Sequence, residues 1–370
     1  MKFIYVVRNG LHLYPPCLNQ IDYLRELGYQ VLAVYGECDE RTEKLLKTIG
    51  VDTLSLSIER STIKYLGIIQ SYRNYRRKVL KVLSERFEIG DYVWYGTADS
   101  CFSLGNEYKK YPFILNVLEL YDNNKFYRNG VGRVIKNASA VIACEPTRAD
   151  IMTMWWNLEK RPYVMPNKPY SLPDLNGVGT IEESRKIILQ LVQKKVFLYQ
   201  GIISSDRNLA LLADAFMKLN DEEIYLGLLG NELTNSVDKL KEKYPRTIYF
   251  GYLPAPYHLE VTGNAFAGIA YYQGSCMNNL FCAPNKIYEY AGLGVPIICN
   301  DIPGLRNTVG RYHAGECVNF ENQKELIEAI KKIISNRGSY FRNSQELFNS
   351  VDNKETIQRL LSDVLYNKDV

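Results

Sequence analysis

The sequence has few histidines, only three in 370 residues, at positions 12, 258 and 313. Spaced so widely, they argue against a zinc site. Its eight cysteines, at 17, 38, 101, 144, 276, 282, 299 and 317, form no CxxC pair, and there is no Asp-x-Asp metal motif. No apolar run nears the ~18 residues of a membrane-spanning helix. The first such run, Phe3–Val7, stops at Arg8. That is too short for a signal-peptide core and reads as a first strand. No repeat of solenoid type and no low-complexity tract is present. The P-loop pattern is missing, and G-x-G-x-x-G is missing at the strand–turn of Gly201, which sets aside ATP phosphoryl transfer and NAD chemistry.

What is present is ample core material: 46% hydrophobic and 12% aromatic residues, with 23% charged. The chain is globular by composition, and its length suggests two domains. The net charge of +4 is mild and does not point to nucleic acid. Cys144, Cys299 and Cys317 lie in apolar runs, where cysteine behaves as a small hydrophobe. These features read as a reduced, cytoplasmic protein.

Strand-like and helix-like segments alternate throughout, the pattern of an α/β protein with parallel sheets. In the first half, strands are expected at Lys2–Val7, Gln30–Tyr35, Asp91–Tyr95, Phe113–Leu118, Ala140–Cys144 and Tyr163–Met165, with a loop at Arg8–Pro16 and a helix at Leu18–Leu27. The stretch Pro166–Thr180 is rich in proline, glycine and asparagine and marks a linker. A second series follows: Val196–Gln200, Ile224–Leu229, Thr247–Phe250, Ala267–Tyr271, Val295–Cys299 and Gly315–Val318, then a helix at Lys324–Ile334 and two more. The expectation is two doubly wound domains, 1–168 and 181–352 around a linker at 169–180, with the final helix (about 353–370) crossing back onto the first. Such sheets bind ligands beyond the carboxyl ends of their strands, here in a cleft between the domains.

The most informative segment is APNKIYEYAGLGVPIICND, Ala283–Asp301. Pro284 suits the first turn of a helix, because it has no amide hydrogen to lose there. Gly292 and Gly294 close that helix before a buried strand. Its N-terminus offers free amides and partial positive charge to an anion. Lys286 and Glu289, three apart, share a face. One can reach a phosphate while the other accepts from sugar hydroxyls, a combination that fits a nucleotide diphosphate. The alternative is a buried helix–strand unit with a surface lysine. The second segment is LYQGIISSDRNLALLADAF, 198–216. There Gly201 permits close backbone approach and Arg207 supplies a permanent, planar charge.

Together these segments resemble the C-terminal half of the retaining glycosyltransferases of the GT-B fold, the large group 1 or family 4. IYFGYL (248–253), GIAYYQGS (268–275) and GECVNFENQKELIEAI (315–330) extend the resemblance, as do ASAVIAC (138–144) and MPNKP (165–169) in the first half. It implies two Rossmann-like domains and transfer of a sugar from a nucleotide diphosphate donor, with no metal and no cofactor. Arg207 and Lys286 would hold the diphosphate, and Glu289 the ribose. The backbone at Gly251, Tyr252 and Leu253 would receive the base. Gly201, Tyr272, Asn279, Pro284 and Asn285 would lie near the donor. Where the family often has a first-domain histidine or acid near the reacting sugar, this chain departs and ILNVLELYDN (114–123) offers Glu119 instead, either as a residue of the catalytic site or as a carboxylate capping a neighbouring loop. Asn9, Gly10 and His12 fall on the acceptor side, where His12 is either a base or a hydrogen-bonded loop residue. The chain departs from the family at Phe281, where many members have glutamate, and at Ile202, where many have a basic residue.

Ser61–Arg86 reads as a basic amphipathic helix, with apolar Ile63, Leu66, Ile69, Tyr72, Val79 and Leu83. It either attaches to an anionic membrane surface or packs on the first sheet with a solvated basic face. Met154, Trp155 and Trp156 are expected to be buried, or to add an apolar patch. The implied acceptor is a saccharide or lipid-linked saccharide of surface polysaccharide synthesis, handled at the inner face of the membrane. The alternatives are a nucleotide-sugar epimerase, a phosphorylase, or a non-catalytic partner protein.

Overall fold

The structure, a computed structural model, describes residues 1–58, 64–175 and 179–366. Ser61 and Ile63, the side chains of Lys64 and Leu66, and part of the linker stretch lie outside the described residues. The chain divides into two units, Met1–Tyr170 with Val351–Val370, and Ser171–Ser350.

The first unit is built on a parallel sheet of seven strands: β1 (Lys2–Gly10), β2 (Gln30–Glu37), β3 (Asp52–Ser55), β4 (Tyr92–Tyr95), β5 (Phe113–Val117), β6 (Ala140–Ala143) and β7 (Tyr163–Val164). Their order is β3-β2-β1-β4-β5-β6-β7. The central strands are apolar on both faces, as a sheet covered by helices on both sides requires. The edge strand β3 went unread in the sequence because its residues are only half-buried and carry no apolar run. β1 runs further than expected, so Asn9 and Gly10 end a strand instead of lying in a loop, and Leu11–Leu13 forms a short 3-10 turn.

The second unit holds six parallel strands: β8 (Lys195–Gln200), β9 (Ile224–Leu229), β10 (Thr247–Tyr249), β11 (Ala267–Ala270), β12 (Ile297–Asn300) and β13 (Gly315–Val318), ordered β10-β9-β8-β11-β12-β13. In each sheet the winding reverses once, between β1 and β4 and between β8 and β11. The crevice outside the carboxyl ends at such a reversal is where doubly wound sheets bind ligands.

The chain ends in two helices. Gln323–Asn349 is continuous except for a kink at Asn336, where two separate helices were expected. Asn353–Leu365 is capped by the Asp352 carboxylate, which accepts from the Lys354 and Glu355 amides. This helix buries Ile357, Leu360, Leu361 and Val364 in the core of the first unit.

The helix Lys64–Arg86 behaves as two halves. Tyr75, Val79, Val82 and Leu83 are buried in the first unit, whereas Ile68 and Ile69 are exposed. Met154 is also exposed, contrary to the burial expected of it, because it lies on the outer side of the helix Pro146–Trp156.

Candidate active site

The site in the second unit forms where β8 and β11 part. β8 ends at Gln200, and the chain turns at Gly201 with φ +115°, a conformation that favours glycine. Gly230, after β9, has φ +142°, and a Cβ there would sit 2.0 Å from the Gly201 carbonyl oxygen. These two turns press together because neither carries a side chain. The Gly230 amide then donates to the Gly251 carbonyl at 2.7 Å, fixing the next loop.

Opposite stands the helix Asn285–Gly292, preceded by Pro284 in an extended conformation. Proline thus occupies the capping position, one residue earlier than the first-turn placement expected. Tyr290 anchors this helix to the sheet: its hydroxyl donates to the Leu198 carbonyl at 2.9 Å and accepts from the Gln200 amide at 3.3 Å. Gly268 on β11 makes room for the Tyr290 ring, since a Cβ there would approach it to 2.5 Å.

A cavity of about 430 Å³ lies between these elements, within the range of small-molecule sites. Gly201, Arg207, Tyr252, Leu253, Tyr272, Pro284, Asn285, Lys286 and Glu289 all line it. The Lys286 ammonium stands 3.9 Å from the centre of the Tyr199 ring and 5.6 Å from that of Tyr272, and the Arg207 guanidinium is 5.0 Å from Tyr272. Tyrosine faces are favourable floors for cations. Asn300 holds the Tyr272 backbone from both sides, with bonds of 3.0 and 2.8 Å.

Lys286 is only 9% exposed, and among the described residues no carboxylate lies within ion-pair distance of its ammonium. Burial, then the neighbouring Arg207 charge, pull its pKa down to about 7, with Glu289 opposing. Arg207 Nε is buried without a hydrogen-bond partner, 3.6 Å from an Asp206 oxygen. Arg207 and Lys286 therefore share one pocket, in which Asp206 reaches Arg207 and Glu289 acts on Lys286 from beyond ion-pair distance.

Glu289, 7% exposed, accepts from the Gln200 side-chain amide, whose oxygen accepts from the Thr262 hydroxyl. His258 Nε2 lies 3.6 Å from Glu289, and His258 Nδ1 is buried without a partner. Sequence reasoning missed Tyr199, Gln200, Asn231 and His258, all of which line the cavity. Gln200 ends a strand already recognised, and its position beside Gly201 was the one available signal.

Two expected donor residues do not line this cavity. The Asn279 side chain donates to the Gln273 carbonyl at 2.9 Å, and Gly251 contributes its carbonyl to the Gly230 turn. Glu119, Asn9, Gly10 and His12 belong to the first unit. Glu119, its side chain 48% exposed, pairs with the buried Arg148 guanidinium at 3.3 Å. Asn9 donates to Asp99 at 3.4 Å, beside a 3.1 Å Arg8–Asp99 ion pair at the carboxyl ends of β1 and β4. Asp99 and Arg8 were not read from the sequence. His12 Nδ1 is buried and unpartnered, and the Gly10 Cα faces its ring. Among the described residues no three His, Cys, Asp or Glu side chains cluster as a metal site would need.

Two Rossmann-like units of this kind constitute the GT-B fold, and solved structures of that fold align over essentially the whole chain. HepE from Anabaena, in complex with UDP and glucose, aligns with TM-score 0.69 at 16% identity, covering 99% of this chain and 100% of HepE. Sucrose-phosphate synthase from Thermosynechococcus elongatus aligns with TM-score 0.70 at 14% identity over 100% of both chains. A glycosyltransferase from Rickettsia africae aligns with TM-score 0.67 at 13% identity over 99% of each. Residues 180–348, nearly all of the second unit, match the family model described as Glycosyl transferases group 1. No curated protein matches the chain in sequence.

Proposed function

We propose that this chain is a glycosyltransferase that moves a sugar from a nucleotide diphosphate donor to a saccharide or lipid-linked saccharide. The observation that carries this reading is the pair Arg207 and Lys286 on a tyrosine floor, with no carboxylate among the described residues in ion-pair distance of Lys286, inside the cavity that also presents buried Glu289. Cleaving a sugar–diphosphate bond develops negative charge on the leaving group, and fixed cations aimed there lower the barrier. Glu289, oriented by Gln200, is set to accept from ribose hydroxyls. The exposed ring of Tyr252 offers the base a face. Two cations supply the charge that a metal would otherwise provide, so transfer proceeds without one.

In this reading the first unit selects the acceptor, Glu119 acts at the reacting sugar, and the anomeric configuration is retained. The setting is surface polysaccharide synthesis at the inner face of the membrane. No helix among the described residues is long and apolar enough to cross a membrane, and attachment would use the basic helix Lys64–Arg86.

The test is thermal stabilisation by a panel of nucleoside diphosphates and their sugars, without metal. A ligand at ~100 times its dissociation constant stabilises by about 2.7 kcal/mol. One nucleotide should stand out, and Glu289→Ala should erase its effect. Arg207→Ala should cost on the order of 10²–10³ in turnover, and wild-type turnover would remove Arg207 from the mechanism. An epimerase would release an altered sugar with no acceptor present, a phosphorylase would consume free phosphate, and a non-catalytic partner would bind none of the panel.

A further inference from the structure

The first unit carries a second cavity of about 490 Å³, lined by the helix Lys64–Arg86, the segment Phe102–Tyr108 and the helix Lys125–Val134. Part of its wall is apolar, and Ile68, Ile69 and Phe126 remain 54%, 53% and 62% exposed around it. A cluster of large apolar side chains left in water around a concavity is the mark of a binding surface. Among the described residues none that lines it is acidic, whereas Arg73, Arg76 and Arg133 all line it. Arg76 stands 3.7 Å from Glu107, but Glu107 is itself paired with Lys110 at 2.7 Å. Arg73 and Arg133 have no carboxylate in ion-pair distance among the described residues.

Hydrocarbon-compatible walls with three guanidiniums at one cavity match one chemistry, a hydrocarbon chain ending in a phosphate. Guanidinium forks bind phosphate oxygens in pairs. We infer that this groove binds a lipid phosphate, the chain among Ile68, Ile69, Phe102 and Phe126 and the phosphate on Arg73, Arg76 and Arg133. The groove also has a direction. Tyr72 forms part of its wall, lies under the Arg8 guanidinium at 3.7 Å, and its hydroxyl is 3.5 Å from that of Tyr127. Tyr127 in turn lies 3.5 Å from Asp99 at the reversal of the first sheet. The apolar end of the groove, at Phe102 and Phe126, therefore borders that crevice, while Arg76, beside Glu107, and Arg133, two helical turns beyond Phe126, form its other end. Identifying the lipid phosphate as the acceptor's carrier rests on the glycosyltransferase reading; the binding itself does not.

The probe is farnesyl phosphate below its micellar concentration, measured by calorimetry on the full chain without nucleotide. Farnesol, inorganic phosphate, and vesicles of phosphatidylcholine with and without phosphatidylglycerol are run in parallel. Farnesyl phosphate should bind at least about tenfold more tightly than farnesol or phosphate alone, because only it meets both halves of the groove. Arg73→Glu with Arg133→Glu should weaken it by about tenfold or more. Phe126→Ser, at an exposed position that leaves the core intact, should weaken it severalfold. Unchanged binding in these variants overturns the assignment. So does equal binding of farnesol or phosphate, or binding to anionic vesicles with none to farnesyl phosphate, which would make the face a membrane-docking surface. Binding of nucleotide sugars, measured on the same preparations, fails or succeeds separately and so reports on the donor site alone.

Discussion

Lys286 offers the sharpest test of the donor site, because its buried ammonium should be half-deprotonated near neutral pH. With burial and Arg207 holding its pKa at about 7, most molecules of the empty protein near pH 8 carry a neutral amine. A bound diphosphate favours the charged form and restores an ordinary lysine pKa of ~10.4. The sign follows. Affinity is greatest below the free pKa of about 7 and falls as pH rises between the free and bound values. From these two pKa values, roughly 0.9 proton should be taken up per donor bound near pH 8, and affinity should drop roughly 50-fold between pH 7 and 9, about 2.3 kcal/mol.

The assay is titration calorimetry with UDP-glucose, whose diphosphate diester has no proton of its own to exchange there. It is run in Tris and in phosphate, buffers of very different ionisation enthalpy. The heat should differ between buffers by nearly one ionisation enthalpy near pH 8 and by little near pH 6. Lys286→Arg should bind with a flat pH profile, because guanidinium does not titrate in this range. Cys282, Tyr199, Tyr272, Glu289 and Arg207 surround the ammonium, and His258 lines the same cavity. His258→Gln therefore serves as the control for a proton taken up elsewhere. Buffer-independent heats in the wild type near pH 8, or an unchanged pH profile in Lys286→Arg, would refute the reasoning.

Gly230→Ala should destabilise the second unit by roughly 2 kcal/mol or more and abolish nucleotide stabilisation, since the added Cβ would meet a backbone oxygen at a positive φ; denaturant melts and the thermal panel read both. Glu119→Gln should leave stability within about 1 kcal/mol, because the Glu119 side chain is half-exposed and the glutamine oxygen can still accept from the buried Arg148. Its turnover should nevertheless fall by about 10² or more, and unchanged turnover would leave Glu119 as only a partner of Arg148. Ile357→Ala, in the fully buried core of the first unit, should cost about 2–5 kcal/mol, and a melt within about 0.5 kcal/mol of wild type would show that the final helix contributes little.

Much of the architecture was legible because parallel strands buried on both faces must be written as apolar runs. Ile224–Leu229 could be bounded to the residue, and the neighbouring strands to within a residue or two. β3 was invisible for the converse reason: a half-exposed edge strand needs no apolar run. The segment around Lys286 and Glu289 was also legible, since helix entry, spacing and exit are local and depend on proline, glycine and a three-residue repeat. What local pattern does not carry is which distant side chains meet. Gln200 reaches Glu289 across 89 positions, and Thr262 reaches Gln200 across 62. The tyrosine floor under Lys286 joins Tyr199 of β8 to Tyr272, just past the end of β11, from opposite sides of the sheet reversal. Asn279 carried a plausible residue type at a plausible position, yet its amide is satisfied by the Gln273 carbonyl. The sequence by itself determined the alternation of elements, the glycine turns and the Lys286/Glu289 helix, because each is set by residues near in the chain. The tertiary structure alone decided the cavity, the depressed lysine and the arginine-rimmed groove, because burial and charge pairing depend on neighbours that only folding brings together.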